Sequence, residues 1–186
     1  GYYEYDMNEA KTVKTELGVF ADFQPQLPES YKDAEYVFLA NIDPKLQLSV
    51  LQNVRKPKLV LLDTMNYWIN NKRGQLLKVI KDVDVLLLND SEARQLFDTP
   101  NLVKAAAAAL KLGPQYVIIK KGEHGALLFS EGSHFSAPSY PLENIKDPTG
   151  CGDSFAGALI GYLAGKGGDG SGSSNDKEKT EKDIRK

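Results

Sequence analysis

The sequence has 186 residues, of which 41% are hydrophobic and 26% are charged, and its net charge at pH 7 is −2. This length suffices for one domain with a buried core. The nearly balanced charge gives no electrostatic reason to expect a nucleic acid or an anionic membrane as a partner. No apolar run approaches the roughly 18 residues of a membrane-spanning helix. No signal-peptide pattern opens the chain, and the only cysteine, Cys151, excludes an internal disulfide, so we expect a cytoplasmic protein.

The middle of the chain alternates short apolar runs with amphipathic stretches. Apolar runs of five residues are typical of strands that are covered on both faces. The stretches between them have the apolar spacing and the capping residues of helices. This alternation predicts right-handed βαβ units around a mostly parallel sheet. Strands are predicted over 36–40, 58–62, 84–88 and 116–120, and helices over 44–54, 68–81, 90–97 and 101–112.

The remaining segments define the limits of this core. Residues 1–24 mix aromatic and polar residues and predict short strands. Residues 126–129 predict an antiparallel strand after the turn at 122–125, and residues 135–140 predict another strand. After residue 165 the sequence becomes a flexible Gly/Ser loop and then a charged, helical tail. We therefore divide the chain into residues 1–24, a core over 25–165, and a tail over 166–186.

Polar residues follow the predicted strands at the points where the strands end. Asn41, Asp63, Asn89 and Lys120 each close or follow an apolar run, and a glycine-rich turn over 147–153 follows the last strand. Ligands of open α/β sheets bind at the carboxyl ends of the strands. This edge of the sheet is therefore the predicted ligand site.

The turn Asp147-Pro148-Thr149-Gly150-Cys151-Gly152-Asp153 leads directly into an apolar helix. Glycine accepts backbone angles that a Cβ forbids, so successive N–H groups here can point into one cavity beside the helix N-terminus. Such an arrangement attracts phosphate. The alternative is a helix entry in which the glycines serve packing and Asp153 is a first-turn acid that the helix dipole favours.

Three glycines of the following helix, Gly157, Gly161 and Gly165, recur every four residues. They predict that this helix packs closely on the sheet.

The block over 147–155 resembles the C-terminal signature of the ribokinase-like (PfkB) carbohydrate kinases. The resemblance implies a three-layer α/β/α sandwich with a mostly parallel sheet. It also implies that Asp153 is the catalytic base and that the amides of Gly150, Cys151 and Gly152 form the anion hole. Because the backbone N–H would do this work, the resemblance implies a structural role for the Cys151 side chain and not that of a nucleophile. Asp147 and Thr149 of the same block are implied to lie beside the nucleotide phosphates.

Two further stretches resemble motifs of this family. Asn89-Asp90-Ser91-Glu92 is similar to its Asn-x-x-Glu motif, which implies phosphate binding by Asn89 and magnesium binding by Glu92 through water. The alternative for Glu92 is a capping-box acid. Lys120-Lys121-Gly122-Glu123-His124-Gly125 is similar to the family's Gly-x-x-Gly turn, which implies that Lys120, Gly122 and Gly125 contact the nucleotide. The alternative there is a plain hairpin.

Other polar residues at the predicted edge have no assigned role. Asp63 and Asn66 follow the second strand where the family carries an Asp-x-Asn element near the phosphates, but the register differs. Asn41 and Asp43 follow the first strand in a similar position. Trp68 is predicted to be a core or helix–sheet contact.

The family resemblance implies ATP- and magnesium-dependent phosphorylation of a hydroxymethyl group on a sugar or nucleoside. It also implies that residues 1–24 are the end of a β-lid through which a homodimer can form. The resemblance covers residues 1–165 and leaves the family's N-terminal portion and C-terminal end without counterparts. The alternative function is therefore a non-catalytic fragment that retains only the scaffold and the phosphate site.

A second enzyme class shares one short block. Gly152-Asp153-Ser154-Phe155 is similar to the Gly-Asp-Ser block of lipase-like esterases, which would make Ser154 a nucleophile. That class needs a later Asp-x-x-His, and both histidines, His124 and His134, precede Ser154. The chain therefore lacks a complete esterase triad.

Overall fold

The computed structural model describes residues 1–5, 7, 10–11, 13–167 and 183–184. Strands β1 (Tyr2–Tyr3) and β2 (Ala10–Lys11) form a separate antiparallel pair near the start of the chain. This pair agrees with the short strands predicted for residues 1–24, whereas the lid and the homodimer stay predictions.

A six-stranded sheet forms the centre of the molecule. The first four of its strands run parallel in chain order, and the last two are antiparallel. The sheet is therefore mostly parallel with an antiparallel end, which confirms the predicted fold class. The strands are β3 (Tyr36–Leu39), β4 (Leu59–Leu62), β5 (Val85–Asn89), β6 (Tyr116–Lys120), β7 (Ala126–Ser130) and β8 (Ser133–Ala137).

Helices cover both faces of this sheet. On one face, apolar side chains of the sheet pack with those of the helices between β3 and β6. On the other face, Leu61, Leu87 and Ile118 pack with Ala156 and Leu163 of the last helix. Burial from both sides explains why the parallel strands are continuous apolar runs. The helices are α1 (Pro44–Asn53), α2 (Asn66–Asn71), α3 (Arg73–Ile80), α4 (Asp90–Phe97), α5 (Leu102–Leu110) and α6 (Cys151–Gly167).

The single helix predicted over 68–81 is wrong. The structure has α2 and α3 in its place, and Lys72 between them has a φ of −137°, outside the helical range. The first helix ends with the Lys72 N–H donating to the Trp68 carbonyl at 2.8 Å, and in the next one the Gln75 and Leu76 N–H groups both donate to the Lys72 carbonyl at 3.0 Å. Lys72 is thus the C-cap of α2 and the N-cap of α3, which places the break at a single residue.

The predicted close packing of Gly157, Gly161 and Gly165 is also wrong. All three residues are exposed, and a Cβ at any of them would lie in open space. The residues of α6 that are buried against the sheet are Ala156 and Leu163. The four-residue spacing therefore follows the outer face of the helix.

Two other predicted segments remain to be compared with the structure. The strand predicted over 135–140 is β8, shifted to Ser133–Ala137, and it ends before Pro138, which cannot donate a ladder hydrogen bond. Most of the predicted tail over 166–186 lies outside the described residues. Within the described part of the chain, no helix has both the length and the apolarity to cross a membrane.

Candidate active site

Asn89 and Glu92 form the start of α4 at the carboxyl end of β5. The Asn89 Oδ1 accepts the Glu92 N–H at 2.7 Å, and the Glu92 Oε2 accepts the Asn89 N–H at 2.8 Å. This is a reciprocal capping box. Glu92 is therefore a capping-box acid, as the alternative interpretation predicted. The hydrogen bond to Asn89 holds its carboxyl group at the edge of the sheet.

Glu92 is nevertheless an unusual capping residue because only 7% of it is exposed. Burial raises the pKa of its carboxyl group to about 7, against a lowering by the bond from Asn89. The charge of Asp63 raises this pKa further, and that of Lys120 lowers it. Glu92 thus lies within the electrostatic reach of side chains from two other strand ends.

Asp63 and Lys120 form a buried ion pair across the end of β5. The Lys120 Nζ lies 2.9 Å from Oδ2 and 3.2 Å from Oδ1 of Asp63. The Asp63 Oδ1 also accepts the N–H of Thr64 at 3.0 Å. Burial raises the pKa of Asp63, Lys120 opposes this effect, and the nearby charge of Asp153 adds to it.

Gly152 brings the start of α6 against this ion pair. A Cβ at Gly152 would lie 3.2 Å from the Lys120 Nζ and 4.0 Å from the Asp63 Oδ2. Gly152 lies inside the helix without a positive φ. The glycine is therefore explained by the space that the lysine ammonium occupies.

A tight turn precedes α6. The Asp147 Oδ1 accepts the Thr149 N–H at 2.9 Å, and the Thr149 hydrogen bonds lower the pKa of Asp147. The Cys151 N–H donates to the Pro148 carbonyl at 3.1 Å, and Gly150 has a φ of +81°. Pro148 to Cys151 thus form a turn whose third residue needs a left-handed angle, which glycine provides without strain.

The amides of this turn differ in what they contact. The Cys151 N–H is used by the turn, whereas the N–H groups of Gly150, Gly152 and Asp153 donate to no group within the described residues. Helix N-termini leave such donors for water, side chains or an anion. Asp153 is exposed in the first turn of α6.

Gly122 and Gly125 lie in a 3₁₀ turn that connects β6 with β7. Both have positive φ angles, +54° and +81°. A Cβ at Gly125 would lie 2.0 Å from the carbonyl oxygen of Ala137 on β8. The hairpin itself therefore requires glycine at 125, as the structural alternative expected.

Side chains from three of the predicted strand-end elements lie near Asp63, which the sequence placed at this edge without assigning it a role. Glu92, Lys120 and Asp153 all affect, or are affected by, the charge of Asp63. Asp63 is the functional candidate whose role the sequence left unassigned, although it stands at the predicted edge as an acid directly after a wholly apolar strand. Asn41 is engaged elsewhere, because its Oδ1 accepts the Nε1–H of the buried Trp68 at 3.0 Å.

The donor set of this edge suits magnesium that a nucleotide carries. Among the described residues no group of three His, Cys, Asp or Glu side chains could hold a metal ion by itself. Magnesium is commonly bound by one or two carboxylates together with water and substrate phosphates. Glu92 provides such a carboxylate, and the free amides of Gly150 and Gly152 provide donors for phosphate oxygens.

A family comparison connects this geometry with known proteins. Residues 20–173 match the model of the pfkB family of carbohydrate kinases. The chain belongs to the PfkB family. A cytidine kinase of Thermococcus kodakarensis is 34% identical over 146 residues, which are 75% of this chain and 52% of that protein. The chain thus spans about half the length of this PfkB relative.

Solved structures share the fold. The apo form of a putative ribokinase II from E. coli has a TM-score of 0.64 at 22% identity, covering 83% of this chain and 50% of that one. A putative ribokinase II from E. coli in complex with ATP and Mg²⁺ has a TM-score of 0.60 at 25% identity, covering 70% and 46%. The likeness shows that this PfkB chain has a ribokinase-like fold.

Proposed function

We propose that this protein is an ATP- and magnesium-dependent kinase that phosphorylates a hydroxymethyl group of a sugar or nucleoside. The observation that carries the proposal is the meeting of the Asp63–Lys120 pair with Gly152, one residue before Asp153. Membership of the PfkB family and the likeness to a cytidine kinase support this reaction class.

Asp153 is the proposed general base. Its carboxylate is exposed at the start of α6, where a substrate hydroxyl can approach within hydrogen-bonding distance. The hydroxyl oxygen forms a bond to the γ-phosphorus, the bond from that phosphorus to the β-phosphate oxygen breaks, and the proton passes to Asp153. ADP and a phosphorylated acceptor are the products.

The proposed anion hole consists of the backbone amides at 150–152. The N–H groups of Gly150 and Gly152 are free for phosphate oxygens, whereas that of Cys151 first has to leave the Pro148 carbonyl. Donors aimed at the charge that develops in the transition state stabilise it more than the ground state. The exchange by Cys151 therefore accompanies nucleotide binding in this proposal.

The remaining residues are proposed to hold the nucleotide. Lys120 contributes a positive charge and Asn89 a side-chain amide, while Gly122, Gly125, Asp147 and Thr149 line the phosphates. Glu92 would hold magnesium through water, and the metal would supply charge neutralisation on the phosphates.

Asp153→Asn tests the proposal. We expect magnesium-dependent ATP consumption with a panel of acceptors that begins with cytidine and ribose. The variant should lose at least about a thousandfold in kcat, because it removes the base and leaves the shape unchanged. The control is Glu131→Gln, an exposed acid in the β7–β8 turn at the opposite edge of the sheet, which should retain wild-type activity.

Two results would contradict the proposal. Equal activity of Asp153→Asn and wild type would show that Asp153 is not the base. ATP binding without turnover of any acceptor would favour the non-catalytic alternative.

A further inference from the structure

Gln47 is a polar side chain at the most buried position of α1. Only 1% of it is exposed, and Pro44 is the other buried residue of this helix. Burying an amide side chain is unfavourable unless its groups form hydrogen bonds. We therefore expect the amide of Gln47 to form specific hydrogen bonds at this position.

The amide of Gln47 joins the ends of two neighbouring strands. Its Nε2 donates to the carbonyl of Ala40 at 2.8 Å and to the carbonyl of Asp63 at 3.1 Å. The last backbone bond between these segments runs from the Asp63 N–H to the Leu39 carbonyl at 3.0 Å. Gln47 thus continues the β3–β4 ladder by one step, at the point where the chains separate.

The orientation of this amide is determined by its neighbours. Turning the amide over would place its oxygen against the two carbonyl oxygens of Ala40 and Asp63, which is repulsive. In the observed orientation the Oε1 is buried and has no hydrogen-bond partner within the described part of the chain. A buried acceptor without a partner is unfavourable, so the two bonds outweigh this loss.

Two hydrogen-bonded steps lead from Gln47 to an ammonium group beside the start of α6. Gln47 holds the backbone of Asp63, and the Asp63 carboxylate holds the Lys120 Nζ at 2.9 Å. The same Nζ lies 3.2 Å from the Cβ position of Gly152. A shift of the Asp63 backbone is therefore transmitted to the ammonium group beside the residue that precedes Asp153.

We infer that Gln47 is a positioning residue for phosphoryl transfer, which acts through Asp63 and Lys120 on the turn at Gly152. The inference rests on the proposed function, since the reaction supplies what is being positioned. Gln47 touches no reacting atom. It sets the place of the lysine charge relative to the amides of the anion hole.

The first test does not depend on activity. In ¹⁵N-labelled protein, Gln47→Met should shift the backbone amide resonances of both Thr64 and Gly152, because the variant keeps the side-chain length but removes both donors. Gln52→Met, at an exposed position of the same helix, should shift neither. A folded Gln47→Met protein with an unchanged Gly152 resonance would overturn the inference.

The second test uses kinetics. Gln47→Met should lower kcat between about tenfold and about a hundredfold, as expected for a small displacement within an active site, with the KM for ATP nearly unchanged. In an Asp63→Asn background the same substitution should lower kcat by a much smaller factor, since the ion pair between residue 63 and Lys120 is already lost. Additive losses in the double variant would show that Gln47 does not act through Asp63.

Failure of the proposed function is distinguishable from failure of this inference. If the protein turns over no acceptor, the proposed function fails and the Gly152 resonance alone decides the role of Gln47. If Gln47→Met does not fold, the Gly152 amide resonance is measured in Gln47→Asn instead. This variant keeps the amide but shortens its reach. An unshifted Gly152 resonance in Gln47→Asn would again overturn the inference.

Discussion

Gly152 places the first turn of α6 beside the charged groups of the sheet edge. Its missing side chain leaves room for the Lys120 ammonium, which is in turn held by the buried Asp63. The conformational freedom of glycine explains Gly150, with its φ of +81°, but not Gly152, whose φ is not positive. Two glycines of one motif are thus required for different physical reasons.

Gly152→Ala should lower kcat by at least about tenfold. The new Cβ would lie 3.2 Å from the Lys120 Nζ, so the ammonium group has to shift by a few tenths of an ångström relative to Asp63. Steady-state kinetics with saturating ATP and magnesium measure the effect. An unchanged kcat would show that the position of this charge is unimportant for the reaction.

The matched control is Gly157→Ala on the same helix, where a Cβ would lie in open space. Alanine in place of glycine stabilises a helix interior by roughly 0.5–1 kcal/mol. We expect Gly157→Ala to raise the free energy of unfolding by this amount and to leave kcat unchanged. Gly152→Ala should gain less, because the displaced lysine opposes the helical preference.

At the scale of elements, packing within the β7–β8 hairpin is sufficient to explain Gly125, one of the two glycines that were predicted to contact the nucleotide. Gly125 lies where the chain turns into β7, and the Ala137 carbonyl of β8 occupies the place of its missing Cβ. The helix break at Lys72 is the opposite case, because the apolar pattern continues through residue 80 while the φ of Lys72 leaves the helical range.

Gly125→Ala should destabilise the fold by roughly 3 kcal/mol or more, since the Cβ would lie 2.0 Å from a backbone oxygen that cannot move freely. Urea unfolding in the absence of nucleotide measures this loss.

The control is Gly132→Ala at the tip of the same hairpin, with a φ of +69° and open space around the Cβ. Only the positive φ opposes alanine there, at a cost of about 1 kcal/mol. Equal losses at the two positions would contradict the steric explanation for Gly125.

At the scale of the whole molecule, the folded state buries acids near one edge of its sheet. Burial raises the pKa of Glu92 to about 7 and raises the pKa of Asp63. A glutamate with the ordinary pKa of 4.5 releases its proton earlier in the unfolded chain. Between these two pKa values the native state binds more protons, so the free energy of unfolding falls as the pH rises through this window.

The contribution of Glu92 should reach about 3 kcal/mol at most, from the size of its pKa difference. Glu92→Gln keeps an acceptor for the Asn89 N–H and removes the titration. We expect this variant to have a flatter pH dependence of stability and to exceed wild type at about pH 8. Urea unfolding across the window, in EDTA, measures both effects.

Glu131→Gln serves as the control, because it removes an exposed carboxylate and should keep the wild-type slope. Identical slopes for wild type and Glu92→Gln would show that Glu92 is not the titrating group.

Much of the fold follows from the sequence because its periodic patterns are local. The four parallel strands, the helices between them and the antiparallel end were predicted within a few residues, since each buried strand is a continuous apolar run. The break between α2 and α3 was not predictable in this way. It lies in the backbone angle of Lys72, which the apolar pattern of residues 68–81 does not determine.

For the candidate site, the sequence by itself determined which residue types stand at the strand ends, because chain order places the carboxyl ends of parallel strands at one edge. The tertiary structure alone decided which of them meet. Asp63 and Lys120 are 57 residues apart in the chain and pair across the end of β5, and Gln47 reaches Asp63 from a helix. Contacts of this kind depend on strand order, helix direction and burial, which leave no local pattern in the sequence.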